Sequence, residues 1–253
     1  MKHVFIPDTQ VRPGDNINHI IAAGKYIKDK QPDKIMVIGD WWDMPSLSSY
    51  DKPGSFGWED KDVSEDFDAG NEAWYYFVSA LVSKNYQPQI HFFMGNHEDR
   101  IKRARLDPMN RRFKSFLSEK QLLINDKKFY PVKVHPYLKI AMIDGIMYSH
   151  YFVNPQSLLT NPIGGTIENK LKALGHSFSM GHQQTKQTGS IYTAMGERRN
   201  GLVCGRFYQE DHEYLGPQKN DQSWSGIFMK HEVKKGEYDL MEVSMDYLLK
   251  EWL

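Results

Sequence analysis

Residues that can bind a metal ion occur in clusters along the first three quarters of the chain. The clusters are Asp8-Thr9-Gln10, Gly39-Asp40-Trp41-Trp42-Asp43, Gly95-Asn96-His97-Glu98-Asp99 and, later, Ser149-His150 and Gly181-His182. Their carboxylate, amide and imidazole groups are oxygen and nitrogen donors that proteins use for divalent cations. The chain has one cysteine, Cys204, which excludes a thiolate cluster and an internal disulfide. The residue types therefore predict a metal site built from O and N ligands.

Each of the first three clusters follows a short apolar segment that is typical of a buried strand. These segments are residues 3–6, 34–38 and 89–94. Strands that end side by side in one sheet bring the residues after them together. We therefore expect Asp8, Asp40, Asn96 and His97 to meet at one edge of a sheet.

The pattern along the rest of the chain alternates at first and becomes strand-rich later. Helical spacing of apolar residues predicts helices at about 16–30, 67–84, 98–119 with a break near Pro108, and 166–174. Ser64 is a candidate N-cap for the second helix, with Glu65 and Asp66 in its first turn. Strands are predicted at 138–143 and 146–150, followed by short strands up to the C-terminus. Residues 44–63 and 205–226 are long irregular segments that could cover a site.

Composition is that of an ordinary folded enzyme. The 253 residues are 40% hydrophobic, with 32 basic and 32 acidic side chains, and we expect one domain over residues 1–253. No apolar stretch approaches the roughly 18 residues that span a bilayer, and the N-terminus enters a strand without a signal-peptide pattern. We therefore expect a cytoplasmic protein without a membrane partner. The oligomeric state is not indicated by the sequence.

The order of these motifs over residues 1–184 resembles that of the calcineurin-like metallophosphoesterases. The likeness is nearest to short bacteriophage- or prokaryote-type members without large appended domains. It implies an α/β fold in which two mixed β-sheets form a sandwich flanked by helices. The active site would lie at the C-terminal ends of the strands.

The resemblance also implies ligands for two divalent metal ions. Asp40 would bridge the ions, together with a water that they activate to attack phosphorus. The second site would consist of Asp40, Asn96, His150 and His182, and the first site of Asp8, Gln10, Asp40 and Gln184. His97 would protonate the leaving oxygen as a general acid, held and polarised by Asp43. The alternative for Asp8 and Asp40, turn chemistry after a strand, is disfavoured because both acids fall in family motifs.

Gln10 and Gln184 depart from the family pattern, in which histidine stands at both positions. An amide oxygen is a harder and weaker donor than imidazole, so Mn²⁺ is the first expectation, with Mg²⁺, Zn²⁺, Fe or Ni also compatible. We expect the first site to be weaker than the second. The competing interpretation is a degenerate site that leaves one bound ion and little activity.

Substrate contacts are less well indicated. One or two aromatics could stack on a base or sugar, from Trp41 and Trp42 or from the loop residues Tyr50, Phe56 and Trp58. Burial of the two tryptophans against the sheet is the alternative. Arg100 could reach a phosphate oxygen, or it could form a salt bridge. Residues 100–114 carry seven cations and one acid, which indicates either solvated helix faces or a surface for nucleic acid.

We therefore expect a metal-dependent phosphoesterase that acts on phosphodiester bonds, with nucleic acid or nucleotides as candidate substrates. Two alternatives remain open on the sequence alone. The first is a phosphomonoesterase that acts on a protein or a small metabolite. The second is a weakly active metal-binding module that docks nucleic acid or a partner through residues 100–114.

Overall fold

A computed structural model describes residues 1–49, 61–209 and 223–253. The first part of the chain alternates strands and helices: β1 (His3–Ile6), α1 (Asn18–Lys30), β2 (Lys34–Val37), α2 (Val63–Leu81), β3 (Gln89–Phe93), α3 (Asp99–Leu106) and β4 (Val132–His135). The second part is richer in strands: β5 (Ala141–Ile143), β6 (Ile146–Tyr148), α4 (Ile167–Leu174), β7 (Phe178–Met180), β8 (Lys186–Tyr192), β9 (Arg198–Cys204), β10 (Gly226–Lys234), β11 (Glu237–Ser244) and α5 (Met245–Trp252).

The strands form two mixed sheets. The first has six strands in the order β11-β10-β1-β2-β3-β4, with β1 to β4 parallel and β10 antiparallel to β1. The second has five strands in the order β5-β6-β7-β9-β8, with β6, β7 and β9 parallel. The expected α/β fold of two mixed sheets flanked by helices is confirmed.

Alternation along the strands explains why the first sheet is covered on both faces. On β1, Val4 and Ile6 pack with the helix side, whereas Phe5 between them packs toward the second sheet. Phe5 meets Tyr148 of β6 with ring centroids 5.9 Å apart. A separate apolar cluster packs α4 against the other face of the second sheet. The first sheet therefore separates two apolar clusters, one under the helices and one between the sheets, and the second sheet carries a third on its outer face.

Three predicted element boundaries need correction. Asp62, not Ser64, caps α2, because its carboxylate accepts a hydrogen bond of 2.8 Å from the Ser64 N–H. The predicted helix over 98–119 ends at Leu106, since Asp107 is extended before Pro108 and a 3₁₀ turn (Pro108–Phe113) follows. The chain also closes with a helix, α5, where only strands were predicted.

No helix within the described ranges has the length and apolar character needed to cross a membrane. Tyr50, Phe56 and Trp58, and most of the two long irregular segments, lie outside the described residues.

Candidate metal centre and active site

The candidate ligands come from the C-terminal ends of parallel strands in both sheets. Asp8, Asp40 and Asn96 follow β1, β2 and β3, and His150 and His182 follow β6 and β7. The two sheets therefore meet at this edge, as predicted for the first three clusters. His150 and His182 lie side by side because β6 and β7 run parallel, and the packing of the second sheet against the first brings them to the other candidate ligands.

Asp40, His150 and His182 form a compact donor cluster. One ligand atom from each lies within 4.8 Å of the others, and the cluster could hold a metal ion. Asn96 joins it, with its Oδ1 2.9 Å from His150 Nε2 and 2.8 Å from His182 Nδ1. The structure thus brings together all four residues predicted for the second site.

The orientation of His150 fits a metal ligand. Its Nδ1 donates a hydrogen bond of 2.7 Å to the carbonyl of Ile38, so its Nε2 faces the cluster. Metal-binding histidines commonly donate their other ring nitrogen to a carbonyl or carboxylate in this way. Two imidazoles, a carboxylate and an amide oxygen form a donor set suited to divalent first-row metals.

A second carboxylate fixes the turn that carries Asp40. Glu98 is fully buried and accepts four backbone N–H bonds, from Asp40 (2.9 Å), Trp41 (2.7 Å), Trp42 (3.2 Å) and Gly95 (2.7 Å). Asp40 itself has a left-handed backbone with φ of 50°. A Cβ on Gly95 would lie 2.1 Å from Asp40 Oδ1, so only glycine allows this approach. Glu98 therefore ties the second and third motifs into one rigid unit.

Electrostatics in the cluster are dominated by burial and by contacts between opposite charges. Burial alone would raise the pKa of Asp40, but the charges of His150 and His97 outweigh it and hold that pKa well below its usual range. Burial would lower the pKa of His150, but Asp40, 3.3 Å away, raises it to about 10. This direction favours a protonated His150 at neutral pH, so binding of a metal ion at this residue would release a proton.

Asp8 lies beside the cluster, against the segment that follows β7 of the second sheet. Its carboxylate accepts from the backbone N–H of His182, at 3.0 and 3.2 Å. A Cβ on Gly181 would lie 2.3 Å from Asp8 Oδ1, so this approach also requires glycine. Burial is the main reason that the pKa of Asp8 rises to about 7. Burial and the charge of His150 lower the pKa of His182 to about 4.

His97 and Asp43 form a close pair next to the cluster. His97 Nδ1 lies 2.7 Å from Asp43 Oδ1 and 2.8 Å from the Asp43 carbonyl, and its Nε2 lies 3.7 Å from Asp40 Oδ2. Burial works against a charged imidazole, but Asp40 and Asp43 outweigh it and raise the pKa of His97. The pairing with His97 and the charge of Arg12 lower the pKa of Asp43 to about 2 against its burial.

Arg100 is hydrogen-bonded within the site. Its guanidinium donates to the carbonyls of Asp43 (2.8 Å) and Met44 (3.2 Å) and approaches His97 Nε2 at 3.1 Å. These contacts hold the segment that carries Asp43. A contact from Arg100 to substrate stays a prediction.

Gln10 and Gln184 are both buried and both have left-handed backbones, with φ of 44° and 51°. The Oε1 of Gln184 accepts a hydrogen bond of 2.6 Å from the hydroxyl of Tyr208. Tyr208 lies under the guanidinium of Arg206, 4.8 Å from its carbon to the ring centroid. The segment 206–208 runs beside Asp8, since the Phe207 N–H donates to the Asp8 carbonyl at 2.8 Å.

The interpretation of Trp41 as a substrate contact is wrong. Its side chain is 0% exposed and packs edge-on against Trp74, with its Nε1 donating to the Gly70 carbonyl at 3.1 Å. Trp42 is equally buried, against Gly70 and Phe92. Burial against the sheet therefore holds for both tryptophans.

Three residues of this region were not assigned a role from the sequence. Glu98 stands inside the third motif, but nothing in the pattern indicates that it binds backbone groups of the second. Arg12, which contacts the Asp43 carboxylate, follows Gln10 by two positions and could have been considered as its partner. Tyr208 carries no sequence signal, because its contact with Gln184 depends on pairing between distant segments.

No protein-family model matches the sequence, and no curated protein matches it. Among solved structures, the chain is similar to a conserved uncharacterized protein from Streptococcus pneumoniae TIGR4, described as a predicted phosphoesterase. The similarity covers 96% of this chain and 97% of that chain, with 11% sequence identity and a TM-score of 0.34. At this level the likeness does not carry a function over, and the function of this chain has to be argued from its own residues.

Proposed function

We propose that this protein is a metal-dependent phosphoesterase of the calcineurin-like type, acting on phosphodiester bonds. The observation that carries the proposal is the position of Asp40 between two groups. Its Oδ2 lies 3.3 Å from His150 in the donor cluster and 3.7 Å from His97 Nε2. A donor cluster alone would fit a protein that merely binds metal. A buried imidazole–carboxylate pair directly beside it supports a catalyst.

The candidate ligands of each metal ion are assigned from the donor groups that the residues offer. Asp40, Asn96, His150 and His182 would hold one divalent ion, and Asp8, Gln10, Asp40 and Gln184 would hold a second, weaker one. When bound, such ions neutralise charge on a phosphate group and lower the pKa of a water. Mn²⁺ is our first expectation, because the amide donors Gln10 and Gln184 are harder than imidazole.

The protein's own contribution to the reaction centres on His97. Asp43 orients the ring by accepting from Nδ1, and Nε2 would carry the proton that passes to the leaving oxygen. An N–H of Arg100 lies 3.1 Å from Nε2 and has to move aside for Nε2 to be protonated, because a guanidinium only donates. Asp40 and Asp43 raise the pKa of His97, which favours the protonated form that a general acid needs. Arg100 holds the segment that carries Asp43 through the carbonyls of Asp43 and Met44, whereas its charge opposes protonation of His97.

The first test separates chemistry from metal binding. His97→Ala should lower turnover by about 10²–10⁴-fold, the usual range for a general acid, while metal content stays close to wild type. His176→Ala is the matched control, since His176 is an exposed histidine outside the cluster. Loss of metal together with activity in His97→Ala would make His97 a ligand and not the acid.

The second test defines the substrate class. Hydrolysis of bis-(p-nitrophenyl) phosphate and p-nitrophenyl phosphate is compared with added Mn²⁺, Mg²⁺ or Zn²⁺. We expect metal-stimulated cleavage with preference for the diester. Preference for the monoester would favour a phosphomonoesterase, and no cleavage with either compound would favour a metal-binding module.

A further inference from the structure

A strongly basic surface begins immediately beside the candidate active site. It is formed by α3 and the 3₁₀ turn that follows, and we call it the α3 surface. Its exposed cations are Lys102, Arg103, Arg105, Arg111, Arg112 and Lys114, and its exposed apolar side chains are Leu106, Met109 and Phe113. The protein has no net charge, so this concentration is local.

Most of these cations have no acidic partner within residues 1–49, 61–209 and 223–253. Arg103 pairs with Asp99 at 3.5 Å. Among the residues that the structure describes, no carboxylate lies within 4 Å of the charged groups of the other five. Exposed lysine and arginine residues usually lie on a solvated helix face and form surface ion pairs. Here the pairs are largely missing, and the positive charge is left facing solvent.

Three large apolar side chains stand among the cations. Leu106 is 68% exposed, Met109 is 87% exposed and Phe113 is 61% exposed. Isolated apolar residues on a surface are common, but three within eight positions, flanked by unpaired arginines, form a combined feature. The aromatic ring of Phe113 next to the guanidinium groups of Arg111 and Arg112 suits a base and its phosphates together.

The α3 surface is fixed in place and continuous with the site. Asn110 Nδ2 donates to the Ala104 carbonyl at 3.0 Å, which fixes the 3₁₀ turn against α3. Arg103 donates to the carbonyl of Asn96 at 3.3 Å, so the surface reaches the third motif directly. A chain of phosphates lying on α3 would therefore lead to His97.

We propose that the α3 surface binds a single-stranded nucleic acid and guides one of its phosphodiesters into the site. This inference rests on the proposed phosphodiesterase function and names its substrate class. The unpaired cations contact successive phosphates. Phe113 stacks on a base, and Leu106 and Met109 give apolar contacts beside it, which explains their exposure.

An anionic membrane is the other polyanion that such a surface could meet. Binding in the plane of a bilayer requires a continuous apolar face along the helix. On α3 the apolar residue that is exposed is Leu106, while Ile101 is buried inward. Apolar residues separated by cations fit separate bases better than a bilayer.

The experiment uses the full-length protein and a labelled single-stranded DNA of about 12 nucleotides, within the usual range of such sites. Binding is measured by fluorescence anisotropy in EDTA, between about 50 and about 200 mM salt. The test variant is Arg105→Gln/Arg111→Gln/Arg112→Gln. The matched control, Lys84→Gln/Lys127→Gln/Lys128→Gln, removes the same charge from other exposed positions.

We expect the test variant to bind at least about tenfold more weakly, with a salt slope smaller by about 2, since each phosphate contact on a single strand contributes about 0.7. The control should stay within about twofold of wild type on the same scale. Phe113→Ala should weaken binding by about tenfold with an unchanged salt slope, because it removes stacking and no charge.

Hydrolysis of bis-(p-nitrophenyl) phosphate distinguishes the two proposals. The test variant should cleave this small diester as wild type does, because none of its three positions belongs to the site. If wild type cleaves it but binds the oligonucleotide no better than the test variant, the α3 inference is overturned and the proposed function stands. If wild type binds through the α3 surface but cleaves no diester in any metal, the proposed function fails instead. Binding to phosphatidylserine vesicles without binding to the oligonucleotide would assign the surface to membranes.

Discussion

Asp43→Asn provides the sharpest test of how His97 is tuned. The amide is isosteric with the carboxylate and can still accept from His97 Nδ1, so the ring keeps its position. What changes is the charge 2.7 Å from that nitrogen. Arg12, which contacts the other oxygen of Asp43, then remains near the ring without its counter-charge.

The expected effect of Asp43→Asn on His97 follows from the hydrogen bond that the substitution weakens. A hydrogen bond to a charged group contributes about 1.5–3 kcal/mol. Loss of this interaction with a charged partner should lower the pKa of His97. A general acid acts in its protonated form, so we expect turnover to decline as the pH rises through the pKa of His97. The substitution therefore moves that decline to lower pH, and the loss of rate is largest, up to about 100-fold, at pH values where wild-type His97 is already mostly neutral.

The measurement is the pH profile of kcat with the diester, together with the titration of His97 followed by NMR of its ring protons. Asp144→Asn is a matched control. Asp144 also joins a histidine and a cation, His3 at 2.8 Å and Lys34 at 2.6 Å, but it lies at the other end of the strands. The profile of this control should match wild type. An unshifted profile and titration in Asp43→Asn would refute the role given to the carboxylate.

Three further predictions concern the metal. Asp40→Ala should abolish metal-stimulated hydrolysis, and a residual rate above about a tenth of wild type would remove it from the ligand set, given the several kcal/mol that metal charge stabilisation supplies. Converting Gln10 and Gln184 together to histidine should tighten metal binding at the first site and shift its preference from Mn²⁺ toward Zn²⁺, more than either single change does. Titrations of metal affinity measure this. An unchanged affinity would show that other residues complete the first site. Because the pKa of His150 is raised to about 10, the apparent affinity for the metal ion should rise between about pH 7 and about pH 9, by up to about tenfold per pH unit. Isothermal titration with proton release measured in parallel checks this. An affinity that does not change with pH contradicts it.

The strand-then-motif pattern was sufficient to place Asp8, Asp40 and Asn96 at one edge, because buried strands and the residues after them are encoded locally. The histidines of the second sheet required more. His150 and His182 reach the cluster only because two sheets pack face to face. The resemblance predicted that packing, and periodicity did not.

Failures of prediction have similar physical origins. Trp41 lies in a tight turn whose direction is set by Glu98, and no local spacing shows that the ring turns inward toward Trp74. Tyr208 reaches Gln184 because segment 206–208 pairs with Asp8 about two hundred positions earlier. Such non-local pairings are invisible to patterns read along a single chain.

The four hydrogen bonds that Glu98 accepts have a consequence for how a metal would enter the site. A carboxylate that gathers the backbone of two motifs builds the ligand geometry during folding, before any ion arrives. Binding would then cost little conformational entropy, in contrast to small domains that fold around their metal. Removal of a bound metal ion by a chelator should therefore leave the protein folded, with Asp40 still in its ligand position.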